Sequence, residues 1–440
     1  MLCIVSKLFS YVRVCLCVCV YAFLSIDLNA EAAAIVYGQP RFTSTAANQG
    51  SKSRVSASTL DNPQGVAFHP TSGRLCVADT GNNRVLCYSA GNTTASSVYG
   101  QADFVSIVSR DGNRGGTASA STLYSPSSVA FHPTSGELCV ADKMNDRVLC
   151  YGAGNTTASR VYGQADFVRR GFGGSPSAST LYRPSSVAFH PTSGELCIAD
   201  GSSNRVLCYG AGNATGNTMA SSVYGQADFS SGYANRRGNV SASTLDSPDG
   251  IAFHPTSGEL CVADTGNNRV LCYSAGNTTA SSVYGQADFV SGDGNRGGNV
   301  SASTLENPQG VAFHPTSGEL CIADRVNSRV LCYGAGNSIA STVYGQADFV
   351  SASRNRGTSN ADASTLNLPY DVAFDPNSGD CFFVDSGNNR GVFSDLAATT
   401  TTTTTSVVGA SPPDGQASQV PMSGPRITVV AIAATGLFHW

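Results

Sequence analysis

Charged residues are scarce in this chain. Asp, Glu, Lys and Arg together make up 13% of its 440 residues, and the formal net charge is −4. A protein that binds nucleic acid or an anionic membrane through electrostatics carries a basic patch, whereas the cationic clusters here are small, such as Arg169-Arg170 and Arg236-Arg237. We therefore expect no nucleic-acid partner.

Long apolar runs are also missing. The N-terminal run covers residues 14–26, follows Lys7 and Arg13, and leads to the small residues Ala30 and Ala32. It is short for a membrane span and typical of a secretory signal peptide. We predict that residues 1–32 are such a signal peptide; retention as a signal anchor is the alternative.

The C-terminus changes character after the last repeat. Residues 397–426 form a Thr/Ser/Pro-rich spacer that contains a run of threonines at 399–405, and residues 427–440 form an apolar tail too short to span a bilayer as a helix. The small residues Ser411, Gly415 and Ala417, a polar spacer and this tail are similar to a lipid-anchor attachment signal. A frayed tail with a last strand is the alternative, and both stay open.

One hairpin is repeated along the chain. Residues 75–88, Leu-Cys-Val-Ala-Asp-Thr-Gly-Asn-Asn-Arg-Val-Leu-Cys-Tyr, contain two short strands joined by a Gly-Asn turn. Copies begin at Leu138, Leu196, Leu260 and Leu320, and a diverged copy begins at Cys381. If Asp79 faces Arg84 across the turn, Cys76 faces Cys87, and both faces of the sheet are apolar. This pattern predicts sheets that are packed on both sides.

A second landmark, Val-Tyr-Gly-Gln, recurs with its glycine at positions 38, 100, 163, 225, 285 and 345. Each interval also holds a Val-Ala-Phe-His strand, a Pro-Thr-Ser-Gly turn and the hairpin, which gives four strands per repeat. We predict an all-β fold: a six-bladed β-propeller of four-stranded antiparallel blades over residues 35–396. Residues 36–39 and a weak copy at 407–410 compete to close the ring, and we predict that the N-terminal strand closes the last blade.

The repeat carries a family resemblance. Pro-x-Gly-Val-Ala-Phe followed by Val-Ala-Asp-Thr-Gly-Asn-Asn-Arg-Val-Leu resembles the NHL-repeat β-propeller family, over about residues 35–395. The Tyr-Gly-Gln-Ala-Asp-Phe and Ala-Ser-Thr-Leu segments are similar to those of secreted microbial members. The resemblance implies an interaction scaffold, a role whose ligands vary widely within the family. The chain departs from the family in its paired cysteines and at His69, where aspartate is common.

Ten cysteines lie in pairs eleven residues apart, on five of the six hairpins. In the sixth, both positions change together, to Phe382 and Phe393, as directly opposed neighbours would. Opposed strand positions lie within reach of a disulfide, and a secretory route permits oxidation. We predict the disulfides Cys76–Cys87, Cys139–Cys150, Cys197–Cys208, Cys261–Cys272 and Cys321–Cys332. Buried thiols are the alternative; zinc is disfavoured because each hairpin offers two ligands and no regular third. Cys381 has no predicted partner.

Two polar sets recur and could be mistaken for a metal or catalytic site. A histidine precedes the Pro-Thr-Ser-Gly turn at positions 69, 132, 190, 254 and 314, with Asp375 in the sixth repeat. An aspartate faces an arginine across each hairpin, in the pairs Asp79–Arg84, Asp142–Arg147, Asp200–Arg205, Asp264–Arg269, Asp324–Arg329 and Asp385–Arg390. We predict that the first set bonds the turn backbone and that the second braces the turn. No catalytic residue, metal site or cofactor is predicted.

Acceptor sequences for N-glycosylation indicate which face of a propeller is free. They occur at Asn92, Asn155, Asn213, Asn239, Asn277 and Asn299. Those at 92, 155, 213 and 277 lie in loops between the third and fourth strands, on one rim. Glycans there would obstruct that rim, so we predict that a ligand binds the opposite rim, which carries the hairpin tips.

The hairpin tips of two repeats carry a cation followed by a large apolar residue. Lys143, Met144, Arg325 and Val326 depart from the Thr-Gly-Asn-Asn pattern. We predict these four as candidate ligand-binding residues; drift of solvated turns is the alternative.

Together these features predict a secreted or cell-surface binding or adhesion scaffold, not an enzyme, that uses one rim to bind a protein or glycan ligand. Contact with a membrane is expected only through the C-terminal lipid anchor. The alternative is a propeller enzyme of the lyase or lactonase type with a metal in the central channel, which requires dissimilar acids and histidines to converge at the channel mouth. RNA-binding or ubiquitin-ligase roles find no support, because no zinc-ligand cluster precedes the repeats.

Overall fold

A computed structural model describes residues 35–51, 54–106, 112–171, 174–210, 219–394 and 399–400. These residues form six antiparallel sheets, five of four strands and one of five. The predicted six-bladed propeller is confirmed.

The strands follow the repeat. In chain order they are β1 Val36–Tyr37, β2 Val66–Phe68, β3 Leu75–Asp79, β4 Arg84–Tyr88, β5 Ser97–Tyr99, β6 Pro126–Phe131, β7 Leu138–Asp142, β8 Arg147–Tyr151, β9 Arg160–Tyr162, β10 Ser186–Phe189, β11 Leu196–Asp200, β12 Arg205–Tyr209, β13 Ser222–Tyr224, β14 Pro248–Phe253, β15 Leu260–Asp264, β16 Arg269–Tyr273, β17 Ser282–Tyr284, β18 Pro308–Phe313, β19 Leu320–Asp324, β20 Arg329–Tyr333, β21 Thr342–Tyr344, β22 Asp371–Phe374, β23 Cys381–Asp385, β24 Arg390–Phe393 and β25 Thr399–Thr400. Single 3-10 turns form hairpin tips at Thr80–Asn82, Lys143–Asn145, Gly201–Ser203, Thr265–Asn267 and Ser386–Asn388. Others lie in the connections between blades, at Ala47–Gly50, Asn113–Gly115, Ala234–Arg237, Gly294–Gly297 and Arg354–Gly357.

The blades close into a ring. Blades one to five begin at β2, β6, β10, β14 and β18, and blade six combines β22, β23 and β24 with β1. The inner strands contact one another in the cyclic order β2, β6, β10, β14, β18, β22 and again β2. Because β1 pairs antiparallel with β24, with Tyr37 opposite Gly391, the prediction that the N-terminal strand closes the last blade is confirmed.

Strand β25 was not predicted. It pairs with the outer strand of blade five, with Thr400 opposite Thr342, and it comes from the segment predicted as a spacer. Several predicted features lie outside the described residues: the remainder of that spacer, the competing copy at 407–410, the signal peptide at 1–32, the tail at 427–440 and Asn213. Among the described residues, no helix has the length and apolar character needed to cross a membrane.

The hairpin register agrees with the prediction. Asp79 lies opposite Arg84 and Cys76 lies opposite Cys87 in the first blade, and the other cysteine hairpins repeat this register. The paired cysteines have Cα atoms 4.1 Å apart, and all five predicted disulfides are present. Cys381 is buried and free.

Each blade packs through two unlike apolar faces. The face that carries Cys76, Ala78, Val85 and Cys87 contacts Leu138, Val140, Leu149 and Tyr151 of the next blade. The same division into a face of small side chains and a face of large ones recurs between the later blades. Small side chains on one side leave space for large ones on the other, so the two faces fit together.

The closing interface is built differently. Blade six carries Phe382 and Phe393 in place of the cysteines, and their rings meet edge to face with centroids 5.0 Å apart. Phe382 also contacts Tyr37 of the closing strand, at 5.5 Å between ring centroids. Gly391 stands where the other blades have valine, and a Cβ atom at this position would overlap the Phe382 ring. The three changes compensate one another in volume.

Candidate functional site

The repeats differ where the inner strands begin. A proline lies at or shortly before the start of each inner strand, and the two residues after that proline are Gln64-Gly65, Ser127-Ser128, Ser185-Ser186, Asp249-Gly250, Gln309-Gly310 and Tyr370-Asp371. All of these except Gly65 and Gln309 line one constriction around the propeller axis, with a volume of about 10 Å³. This is roughly the space of one water molecule. We call this constriction the axial neck.

Glycine makes the axial neck narrow. A Cβ atom on Gly310 would overlap the backbone and carboxyl group of Asp371, and one on Gly250 would overlap the Gln309 carbonyl. Without side chains at these positions the inner strands approach closely. The neck therefore divides the axis into a hairpin-tip end and an opposite end.

The first residue of each hairpin tip determines whether its side chain bonds the next blade or is available at the hairpin-tip end of the axis. In blades one, four and six it is a hydroxyl residue that donates to a proline carbonyl of the next blade: Thr80 to Pro126, Thr265 to Pro308 and Ser386 to Pro63. Blade two has Lys143 at this position, and Ser127 bonds the corresponding Pro184 carbonyl instead, at 3.1 Å. Lys143 is therefore not needed for the bond to the proline carbonyl of the next blade. Arg325 of blade five has no hydroxyl with which to make that bond.

Four side chains from four blades meet at this end, and we call them the axial cluster: Lys143, Asp249, Arg325 and Tyr370. The Tyr370 hydroxyl donates to the Asp249 carboxylate at 3.0 Å, and the Arg325 guanidinium carbon lies 5.9 Å from the centre of the Tyr370 ring. Burial raises the pKa of Asp249, against the opposing effects of the Lys143 charge, the Tyr370 hydrogen bond and the Arg325 charge. The cluster therefore holds two cations around one partly buried carboxyl group.

Arg325 keeps an unused donor. Its Nε atom is buried and, among the described residues, makes no hydrogen bond. An unsatisfied buried donor is costly, and a ligand carboxylate that reached this nitrogen would satisfy it.

Beyond the axial neck the axis widens into a chamber of about 220 Å³. Asp371 lies where the chamber meets the neck, and its carboxylate accepts the backbone N–H groups of Val66 at 3.0 Å and Val372 at 2.9 Å. Desolvation, together with the smaller effect of the negative charge of Asp249, raises the pKa of Asp371 to about 7 in spite of these two bonds.

Comparison with known proteins identifies the repeat. The sequence model of the family described as NHL repeat matches residues 60–88, 245–273 and 305–333, which cover blades one, four and five from the end of the preceding connection to the third strand. Six blades built on the same pattern close into one propeller. The chain is an NHL-repeat β-propeller.

Among solved structures, this NHL propeller is similar to a chain titled "Streptogramin B lyase structure", with 10% sequence identity, a TM-score of 0.43, and coverage of 77% of this chain and 95% of that one. At that identity the likeness concerns the fold alone. None of the curated proteins matches the sequence.

The structure brings two of the four predicted tip residues into the axial cluster, Lys143 and Arg325. The other two, Met144 and Val326, are 36% and 40% exposed, and their backbone N–H groups bond carbonyls in the connections between blades. A ligand role for these four residues stays a prediction. Asp249, Tyr370 and Asp371 were not predicted, although the two variable positions after each proline were a visible signal.

The recurring histidines of the NHL propeller bond the turn backbone, as predicted. In His132, for example, Nδ1 accepts from the backbone N–H groups of Thr134 and Ser135 at 3.3 and 3.2 Å. Asp375 accepts from the Asn377 backbone in the sixth blade. Each histidine ring also packs on a phenylalanine of the following blade, as His69 does on Phe131. Their role is structural.

The Asp–Arg pairs are structural too, but their hydrogen bonds extend beyond the hairpin turn. Asp79 and Arg84 form an ion pair of 2.7 Å with both side chains fully buried. Arg84 also donates to the carbonyls of Ser56 and Thr59, each at 2.9 Å, and of Phe104, at 2.6 Å. These carbonyls belong to the connections before and after the blade. The pair therefore clamps two connections onto the hairpin, and the predicted role of bracing the turn alone is too narrow.

A third metal-ligand type does recur beside the cysteines, contrary to expectation. The carboxylates of Glu137, Glu195 and Glu259 lie within 4.8 Å of the paired sulfur atoms of their blades. Both sulfurs of each pair are joined in a disulfide, and metal binding requires the thiolate. These clusters therefore do not act as zinc sites in the oxidised protein.

The predicted acceptors Asn92, Asn155, Asn239, Asn277 and Asn299 are all exposed. Three of them follow the third strand of a blade, as expected, and Asn239 and Asn299 lie in connections between blades. Connections of this kind also contact the loops that follow the third strands. The carbonyl of Ala57, for example, accepts the backbone N–H of Ala95. Modification at these sites stays a prediction.

Proposed function

We propose that this NHL propeller is an extracellular binding or adhesion scaffold, secreted or attached to the cell surface, which recognises a carboxylate-bearing protein or glycan at the hairpin-tip end of its axis. The convergence of Lys143, Asp249, Arg325 and Tyr370 carries this proposal. These side chains depart from the repeat, come from four different blades, and meet on the rim opposite the loops that hold Asn92, Asn155 and Asn277.

The charge pattern of the axial cluster supports a carboxylate ligand. The charges of Lys143 and Arg325 both lower the pKa of Asp249, and the buried Nε atom of Arg325 makes no hydrogen bond within the described structure. A guanidinium binds a carboxylate through two parallel hydrogen bonds. The Tyr370 hydroxyl bonds Asp249 and so holds the acid beside the two cations.

The disulfides support the extracellular location. Five cross-strand disulfides persist in an oxidising compartment and are rare in the cytosol. Exposed acceptor asparagines are consistent with the same route. Attachment to the surface would depend on the tail at 427–440, and release by a phosphatidylinositol-specific phospholipase would test it.

Removal of the two cations of the axial cluster tests the proposal. Purified, oxidised and glycosylated protein is applied to arrays of acidic oligosaccharides and acidic peptides, with the Lys143→Ala/Arg325→Ala variant beside it. Since a hydrogen bond to a charged group contributes about 1.5–3 kcal/mol, we expect the variant to bind the ligand at least about tenfold more weakly. The matched control, Arg170→Ala/Arg354→Ala, removes two exposed cations elsewhere and should bind as the wild type does. Equal binding by all three proteins would refute the site.

The enzyme alternative rests on the acids Asp249 and Asp371, which both line the axial neck. A metal fits this neck poorly, because Lys143 and Arg325 already face Asp249 and would repel a cation. The lyase or lactonase alternative would gain support from stoichiometric metal in the purified protein that is lost in Asp249→Asn.

A further inference from the structure

Asparagine pairs anchor five of the six described connections to the hairpin tip of the blade that follows. In blade one the side-chain amides of Asn48 and Asn82 donate to each other, at 3.0 and 2.9 Å. The same reciprocal bonds recur in the pairs Asn113–Asn145, Asn235–Asn267, Asn295–Asn327 and Asn355–Asn388. Blade three has Ser203 at the tip position, and the connection that precedes it, residues 163–185, contains no asparagine. Both partners of the anchor are therefore missing together.

The connection into blade three is consequently held mainly near its ends. There the carbonyls of Phe167 and Ser177 accept hydrogen bonds from arginines of the Asp–Arg pairs, as in the other blades. Between these two carbonyls, and within the described residues, the hydrogen bond that ties the segment to the rest of the fold runs from the Gln164 amide to the Gly171 carbonyl, at 3.2 Å. A segment with so few bonds opens locally at little cost in free energy.

This segment presents paired arginines to solvent. Residues 168–171 are all exposed, and we call Val168–Gly171 the dibasic segment. Arg169 lies 3.5 Å from the Asp166 carboxylate, with the two side chains 69% and 45% exposed, and an exposed pair of this kind is weak. Within the described residues, the Arg170 side chain makes no ion pair or hydrogen bond. Both guanidinium groups are therefore accessible to a partner.

A second arginine pair in the chain is held in place. Arg236 and Arg237 follow Asn235, whose amide is paired with that of Asn267. Arg236 Nε donates to the carbonyl group directly after β13, at 3.2 Å, and both arginines have left-handed φ angles, of 55° and 60°. Peptides that bind along the edge of a partner do so as extended strands, so this pair has to leave its native conformation before a protease can bind it.

We propose that the dibasic segment is a processing site, at which an endoprotease specific for paired basic residues hydrolyses the bond between Arg170 and Gly171. Water adds across this peptide bond, so that Arg170 gains a carboxylate and Gly171 gains an ammonium group. Acidic pockets of such a protease would pair with the two guanidinium groups, and exposed loops with small residues are preferred sites of proteolytic nicking.

The site lies on a rim that the predicted glycans at the loops between third and fourth strands leave open. Gln164, which bonds Gly171, also donates to the carbonyl of Asp146 in the hairpin tip of blade two, at 3.1 Å. The dibasic segment therefore adjoins the hairpin-tip rim, whereas the loop that contains Asn155 follows β8 at the other rim. A protease can approach the segment without meeting a glycan on that loop.

A cut at this position would leave two chains that no disulfide joins. Each of the five disulfides links cysteines eleven residues apart within one hairpin, so none spans the bond after Arg170. Packing between blades two and three and the pairing of β1 with β24 still hold the ring. The product is thus a folded propeller of two chains. This inference goes beyond the proposed function and does not depend on it.

Limited proteolysis of the native, oxidised full chain tests the inference. The probe is kexin, an endoprotease that cuts after paired basic residues, and the chain contains two such pairs, at 169–170 and 236–237. We expect cleavage after Arg170 to be at least about tenfold faster than cleavage after Arg237, because a hydrogen-bonded site is cut only from its open form. Denaturing electrophoresis without reductant should show two fragments, with Gly171 at the N-terminus of the larger one, while native size exclusion should show one particle.

Three variants assign the effect. Arg169→Ala/Arg170→Ala should abolish the fast cut, and its matched control, Arg236→Ala/Arg237→Ala, should be cut as the wild type is. Asn267→Ser gives blade four the tip residue of blade three and removes the partner of Asn235, so cleavage after Arg237 should become faster. The assay is repeated after enzymatic deglycosylation, because a glycan on Asn239 would shield Arg237; the preference for Arg170 should persist.

Several results would overturn the inference. These are equal rates of cleavage after Arg170 and Arg237 in the wild type, no cleavage of the native chain after Arg170, a preference that disappears on deglycosylation, or an unchanged rate after Arg237 in folded Asn267→Ser. Fragments that separate on native size exclusion would contradict the two-chain propeller. None of these results bears on the axial cluster, whose test measures ligand binding in different variants.

Discussion

Asp264→Ala is expected to lower the free energy of unfolding by about 3–5 kcal/mol, because it leaves a fully buried arginine without its counter-charge. Arg269 lies 2.7 Å from Asp264 with both side chains at 0% exposure. The substitution also removes the acceptor for the Asp246 backbone N–H and for the Asn267 amide. The carbonyls of Ser241, Thr244 and Phe289 still bond the guanidinium, but they carry no negative charge.

Urea denaturation of the oxidised protein measures this loss. The matched control is Asp380→Ala, which removes an exposed carboxylate from a turn on the opposite rim. Its effect should stay within about 0.5 kcal/mol, as is usual for surface substitutions. A loss below about 1 kcal/mol in Asp264→Ala would mean that the Asp–Arg pair does not clamp the connections.

Removal of one cross-strand disulfide has the second large expected effect. The double variant Cys261→Ala/Cys272→Ala opens a crosslink that spans eleven residues, and such crosslinks typically stabilise by about 2–4 kcal/mol. We expect a loss of this size in denaturant unfolding under oxidising conditions, since the unfolded chain regains the freedom that the crosslink had removed.

A reductant separates the crosslink from the packing of the two side chains. With excess dithiothreitol the difference between wild type and the double variant should shrink markedly, because both proteins then lack the crosslink. Cys381→Ala, which changes a buried free thiol, provides the control whose effect should not depend on reductant. A difference that persists unchanged under reduction would assign the stabilisation to packing alone.

The architecture was predictable because the repeat fixes it locally. The alternation of side chains along a strand and a four-residue turn of constant length place Asp79 opposite Arg84, and every other pairing in the hairpin then follows. Joint replacement of both cysteines by Phe382 and Phe393 pointed to direct contact, which the register confirms. Closure by the N-terminal strand followed from a surplus of landmark segments over blades.

The axial cluster was not predictable in the same way. Lys143, Asp249, Arg325 and Tyr370 are far apart in sequence, and ring closure alone brings them together. The residues after each proline resemble turn positions, and no local pattern tells which of them face the axis. The hydrogen bonds from the Asp–Arg pairs to the connections were not predicted, for a related reason. The bonded carbonyls lie in connections that have no strand periodicity.

The proposed extracellular location rests on the oxidised hairpins. Denatured but unreduced protein from the culture medium is alkylated and mapped by mass spectrometry. Residues 35–440 contain eleven cysteines, of which ten are paired and one, Cys381, is free. We predict alkylation of Cys381 alone within this range; alkylation of all eleven cysteines would contradict the disulfides and, with them, the oxidised extracellular propeller.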